Sequence, residues 1–173
     1  MRIHATVHRY HRRSIRLRHH DYRALGAYFV TICSHSHLPI FGNVNSGRMR
    51  LSSAGKLVSD CWREIPHHFP NVSLDEFIVM PDHMHGIVVI RSAPPGKAVP
   101  RRFGGSVKDS LSTIVGVFKS YATKHVIAET GIRRVWQRNY YESVIRDDHH
   151  MNAVRNYIIS NPRKWCTHAH RNT

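Results

Sequence analysis

A chain of 173 residues is long enough to close one hydrophobic core and too short for several domains. Lys and Arg number 26 against 11 Asp and Glu, for a formal charge of +15 and a pI near 10.6, so nucleic acid leads the expected partners and a plain basic soluble protein is the bland alternative. No apolar run approaches the ~20 residues needed to span a bilayer, and Met1 to His20 hold six Arg, five His and no acid where a signal peptide has an apolar core. The expectation is a cytoplasmic protein without a membrane partner. Cys33, Cys61 and Cys166 are too few and too far apart for a disulfide framework or a zinc knuckle, and read as reduced thiols.

Residues 1–20 form a basic arm, 21–165 a single domain and 166–173 a basic tail. Ala27 to Ser34 (AYFVTICS) is rich in aromatic and β-branched residues and predicts a buried strand. Asn45-Ser-Gly marks a turn before a short strand at Arg48 to Leu51. Ser52 or Ser53 caps a helix to about Phe69, with Leu57, Cys61, Trp62 and Ile65 on one face and Pro66 bending its last turn. Leu74 to Met80 and Ile87 to Ile90 are apolar on both faces, as central strands are. Ser92 to Gly105 is a loop of Pro, Gly and basic residues. Ser106 to about Glu129 predicts an amphipathic helix with Lys119 and Lys124 on its rim. Val135 to Ile145 reads as a strand pair or as one strand after an irregular entry. Asp147 or Asp148 then caps a last helix, stopped near Ser160 by Asn161-Pro162.

His83-Met84-His85 is the sharpest chemical feature. Residues i and i+2 of an extended chain point to the same side, so two imidazoles converge, and neutral imidazole is a common ligand for divalent metals. In a chain with 16 His some His-x-His arise by chance, and His35-Ser36-His37 and His168-Ala169-His170, in polar turns or the tail, read as such. His83 and His85 instead interrupt apolar strands, where unpaired polar groups are costly. On the last helix Tyr157 and Asn161, four apart, share a face. A tyrosine at helical spacing serves packing more often than chemistry, and spacing alone does not choose.

The ordered blocks Asp21-Tyr22, Tyr28-Phe-Val-Thr-Ile-Cys33, Met80-Pro-Asp-His-Met-His-Gly86, Phe118-Lys-Ser120, Val135-Trp-Gln-Arg-Asn-Tyr-Tyr141, Ile145-Arg-Asp147 and Tyr157-Ile-Ile-Ser-Asn-Pro162 resemble the single-tyrosine HUH transposases, and most of all their REP-associated tyrosine transposase branch. The resemblance spans about Asp21 to Trp165. It implies an α+β fold, an antiparallel sheet with helices packed on it, of the ferredoxin-like HUH endonuclease type. It also implies His83 and His85 as a metal pair, Asn161 as a third ligand, Tyr157 as nucleophile and Mg²⁺ or Mn²⁺ as cofactor. Many relatives read Pro-Asn-His where this chain has Asp82, which leaves open whether that carboxylate is a ligand or a partner of one.

The activity so implied is single-strand DNA cleavage and rejoining at hairpin or palindromic repeats, through a 5′-phosphotyrosine that conserves the phosphodiester energy for transfer to a second 3′-hydroxyl. A protonated phenol is a poor nucleophile, so a cation or base is expected beside Tyr157. Charge alone nominates Arg12, Arg13, Arg16 and Arg18 in the arm, Arg101 and Arg102 in the loop, and Arg163 and Lys164 near the end as phosphate contacts. Phe103, Trp136 and Tyr140 are candidates to stack bases, although strand aromatics are more often core. A competing reading is a non-catalytic protein that grips DNA hairpins. A relaxase or replication initiator would call for a longer chain. A histidine-triad hydrolase needs a third alternating His where position 87 is Ile. Monomer and homodimer both stay open, with the short loop before the last helix favouring a site within one chain.

Overall fold

The computed structural model describes residues 25–91 and 110–169, with side chains to Trp165. The basic arm, the loop carrying Arg101, Arg102 and Phe103, and the Asp21-Tyr22 block lie outside the described residues. The described residues form, in order, β1 (Gly26–Cys33), β2 (Gly42–Asn45), β3 (Arg48–Leu51), α1 (Ser53–Arg63), α2 (Ile65–His68), β4 (Val72–Val79), β5 (His83–Ile90), α3 (Leu111–Thr130), β6 (Tyr141–Ile145) and α4 (Asp148–Ala169).

The main sheet is antiparallel in the order β4-β5-β1-β6. With α1 between β1 and β4, and α3 between β5 and β6, this is the β-α-β-β-α-β arrangement of ferredoxin-like folds, extended by the β2–β3 hairpin and by α4. Strands β1 and β5 are central and therefore apolar on both faces. One face carries Tyr28, Val30, Ile32, Met84 and Val88 against α1 and α3, around a fully buried Trp62. The other carries Ala27, Ile87 and Ile145 against Val154 and Ile158 of α4. Odd-numbered residues of β5 thus face α4, and that alternation turns His83 and His85 toward it.

Local signals set most boundaries. Ser52 accepts a hydrogen bond from the Gly55 amide and caps α1, Ser110 does the same for α3 through Thr113, and Gly131 ends α3 in the left-handed conformation at φ 73°. The Asp147 carboxylate accepts from the His150 amide and caps α4. The helix predicted to reach Phe69 breaks at Glu64, where Pro66 at the start of α2 leaves no amide for a continuous ladder. Residues 135–140 are the irregular entry rather than a second strand: Lys119 Nζ donates to the carbonyls of Gln137, Arg138 and Asn139, which are thereby taken from any strand ladder. Lys119 is accordingly half-buried rather than a solvated rim residue.

The last helix corrects the sequence reading most. It does not stop at Asn161-Pro162 but runs on to Ala169. Proline forbids one helical hydrogen bond and costs a bend, yet tertiary packing outweighs that cost when both sides of the break are held. Asn161 and Pro162 are buried, Gly47 of the hairpin turn lies against Arg163, and Trp165 packs on the His83 ring at 5.6 Å. At its other end α4 is tied to β4 by a two-pronged ion pair: Arg155 Nε and Nη2 donate to the two oxygens of Asp75, each at 2.7 Å. Those bonds hold the Asp75 carboxyl below its usual value.

Candidate active site

The two imidazoles of β5 meet on the α4 face. His83 Nε2 and His85 Nε2 are 3.1 Å apart. Their other ring nitrogens are already engaged. Asp82 Oδ1 accepts from His83 Nδ1 at 2.6 Å, and because a carboxylate only accepts, Nδ1 carries a proton and, in the neutral ring, the Nε2 lone pair faces inward. His85 Nδ1 lies 2.8 Å from Thr31 Oγ1, a contact fixed by register, since Thr31 stands directly opposite His85 on β1. With that hydroxyl accepting, His85 also turns a lone pair inward. Two lone pairs facing each other at this spacing repel unless a proton or a cation lies between them.

Burial reinforces the arrangement. His85 is only 5% exposed and stacks on Phe29 with ring centroids 5.3 Å apart. Loss of hydration first, and the neighbouring His83 second, push its pKa from 6.5 down to about 3. The imidazole is therefore neutral, which is the form that binds metal. Asp82, the residue of unsettled role, points to the outer nitrogen of His83 and to His37 Nδ1 at 3.7 Å, so it orients a histidine rather than joining the two Nε2 atoms.

Tyr157 comes from α4, with its hydroxyl 3.5 Å from His85 Nε2, at the outer edge of hydrogen-bond reach, and its ring edge-on to Phe29. It is 42% exposed, so the phenol is supported on one side and open on the other. Because α4 continues past Pro162, Lys164 falls two turns on, with Nζ 5.4 Å from the centre of the Tyr157 ring. Asn161 is buried one turn beyond Tyr157; among the described residues no hydrogen bond joins its amide to either imidazole. Nor do the described residues place three or more His, Cys, Asp or Glu side chains to hold a metal. The donor set is the two convergent imidazole Nε2 atoms, a donor type that suits a divalent ion.

No family model matches the sequence. A protein of Haemophilus influenzae, described only as uncharacterized, is 39% identical over 163 residues, covering 90% of this chain and 91% of the relative. The chain belongs to that protein's family. The fold of this family member is seen in a solved structure of a REP-associated tyrosine transposase bound to a REP hairpin, which superimposes on 86% of this chain and 74% of its own with a TM-score of 0.59 at 18% identity. The α+β architecture implied by the sequence blocks is thus established.

Of the residues nominated from sequence, the fold brings together His83, His85 and Tyr157, with Lys164 beside them, and leaves Arg163 exposed next to the β2–β3 turn. Arg12, Arg13, Arg16, Arg18, Arg101 and Arg102 lie outside the described residues. Trp136 packs on Phe41 and Phe118, so its ring is committed to the core. Thr31, His37 and Trp165 escaped sequence reasoning; His37 belongs to a His-x-His assigned to chance. Cys33 and Cys61 are free and buried, and burial raises both thiols above their usual range. No helix of the described residues is long and apolar enough to cross a membrane.

The buried histidine makes stability depend on pH. The unfolded chain protonates this residue near 6.5 and the folded one only near 3, so its stabilising effect is complete above 6.5 and is lost as pH falls toward 3. In EDTA the free energy of urea unfolding is expected to drop between pH 6.5 and 4, by up to roughly 3 kcal/mol, about 1.4 kcal/mol for each pH unit. Below the usual 3.8 of an aspartate the paired Asp75 adds a loss of the same sign. A His85→Gln protein should be flat over the upper window; an equal drop there would assign the effect to other groups.

Proposed function

We propose that the chain is a metal-dependent single-strand DNA endonuclease and strand transferase, a transposase of the single-tyrosine HUH kind, acting on hairpin or palindromic repeats in the cytoplasm. The observation that carries this reading is the meeting of the Tyr157 hydroxyl with the convergent Nε2 pair of His83 and His85 in one chain. The fold shared with a transposase bound to a REP hairpin supports DNA as substrate, as does the charge of +15.

A Mg²⁺ or Mn²⁺ ion held by His83, His85 and Asn161 would polarise the scissile phosphate and neutralise charge on the leaving 3′ oxygen. The chain's own groups do the rest. Asp82 and Thr31 fix both imidazole orientations, so no reorganisation is needed when the phosphate arrives. Phe29 supports both the His85 ring and the Tyr157 ring and keeps nucleophile and ligand in register. The phenol oxygen attacks phosphorus as its proton passes through water to the departing 3′ oxygen, and the Lys164 ammonium above the ring offsets the charge that develops there. The P–O bond to the 3′ oxygen breaks, leaving a 5′-phosphotyrosine and a free 3′-hydroxyl. Attack by another 3′-hydroxyl reverses the step and regenerates Tyr157.

The same-chain approach of Tyr157 to His85 favours a monomer acting in cis over a homodimer that exchanges helices. The test incubates the protein with single-stranded hairpin oligonucleotides from palindromes flanking its gene, in Mn²⁺ or EDTA, beside Tyr157→Phe. A protein–DNA adduct on a denaturing gel is expected only for the unmodified protein with metal. DNA shifted on a native gel without any adduct would instead leave a hairpin-binding protein.

A further inference from the structure

A cleft of about 470 Å³ opens between α3 and residues 133–138 and is walled by Lys119, Arg133, Arg134, Arg138, His35 and Trp136. Among the described residues no carboxylate lines it. The three arginines are exposed and make no ion pair among the described residues. The backbone that carries them is fixed: Lys119 holds the carbonyls of Gln137, Arg138 and Asn139, and Trp136 is anchored in the core. Like charges set on a rigid segment repel one another, an arrangement that folding does not reward and an anion does. Guanidinium groups in a row match the phosphates of an extended strand.

The position of the cleft says which strand. Gln137 donates its amide to the Cys33 carbonyl, Trp136 bridges to Ser34, and Cys33 stands opposite His83 in the β1–β5 register. The arginine segment therefore runs beside the sheet end that carries His83, about 10 Å or two strand spacings from β5, with the α3 wall of the cleft on the sheet face opposite α4. Between cleft and site lies the turn His35–His37, with His35 on the cleft and His37 against Asp82. Ser36 and His37 hold left-handed conformations at φ 54° and 53°, a strained backbone that the Ser34 Oγ bond to the Leu38 carbonyl keeps in place.

We infer that the cleft is a second DNA contact, taking the phosphates of the single strand that leads over the His35–His37 turn to His83 and His85. This rests on the proposed nuclease reading, and the experiment separates the two. Fluorescence anisotropy with a labelled single-stranded oligothymidylate, over a range of salt, compares three full-length proteins, all in a Tyr157→Phe background that cannot trap DNA. One is otherwise unchanged, one carries Arg133→Ala, Arg134→Ala and Arg138→Ala, and one carries Lys56→Ala, Arg63→Ala and Arg91→Ala, which removes equal charge from α1 and from the far end of β5. The cleft variant is expected to lose at least about tenfold in affinity at low salt and to lower the slope of log K against log salt by about 2, three contacts at ~0.7 each, while the control stays within about twofold. Equal loss in both variants, or none in the cleft variant, would overturn the inference. Should the triple variant not fold, single Gln substitutions at the three arginines are expected to lower the slope by about 0.7 each. The adduct gel remains an independent readout: if no adduct ever forms while the cleft variant alone loses affinity, the nuclease reading fails and the cleft stands.

Discussion

Alanine in place of His85 is expected to slow adduct formation by roughly a thousandfold while leaving single-strand affinity within a fewfold, since a Lewis-acid centre contributes several kcal/mol and each 1.4 kcal/mol is tenfold. The residue serves the site with both nitrogens: Nδ1 meets Thr31, and Nε2 faces both His83 and the Tyr157 hydroxyl. Removing it takes half of the convergent pair and the ring against which Phe29 and Tyr157 are arranged. Substituting Asp82 by alanine is milder, because that carboxylate acts through His83; a loss of about 10–100-fold in Mn²⁺ affinity is expected, read by electron paramagnetic resonance without any DNA present. Asparagine at 82 keeps an acceptor for His83 Nδ1 and should recover most of that loss. A His85→Ala protein that forms adduct at the unmodified rate would remove the metal pair from the mechanism.

What was legible in the sequence was what depends on near neighbours. Alternation along β5 put His83 and His85 on one side, as found. Caps at Ser52 and Asp147 followed from side chains that satisfy the first helical amides. What failed was decided across the chain. Pro162 reads as a stop by any local rule, yet the β2–β3 turn and the His83 ring hold the helix beyond it, and through that continuation Lys164 and Trp165 reach the site. Thr31 carries no signal of its own; it matters because β1–β5 register sets it opposite His85, 54 residues away. Lys119 reads as a rim residue because helical periodicity gives the face of α3 but not what covers it.

Substituting Gly86 by alanine is expected to cost about 1–3 kcal/mol, and Trp62 by alanine about 3–5 kcal/mol, both read by urea unfolding followed by circular dichroism. The glycine directly follows the second histidine, on the opposite face of β5. A Cβ there would lie 2.5 Å from Trp62 Cζ2 and 2.9 Å from Cε2, inside any tolerable contact. The indole has little room to retreat, being fully buried, edge-on to Phe118 at 5.0 Å and close to Phe77. The strand must then move toward α4, and the imidazole one residue away moves with it. Loss of stability and loss of metal affinity should therefore travel together in Gly86→Ala, although position 86 touches neither. The double variant separates crowding from backbone preference: with the indole gone the added methyl has space, so Gly86→Ala should cost less in Trp62→Ala than alone, by about 1 kcal/mol or more. Strict additivity would mean that the glycine is there for its backbone, and that the flat approach of β5 to α1 owes nothing to the tryptophan.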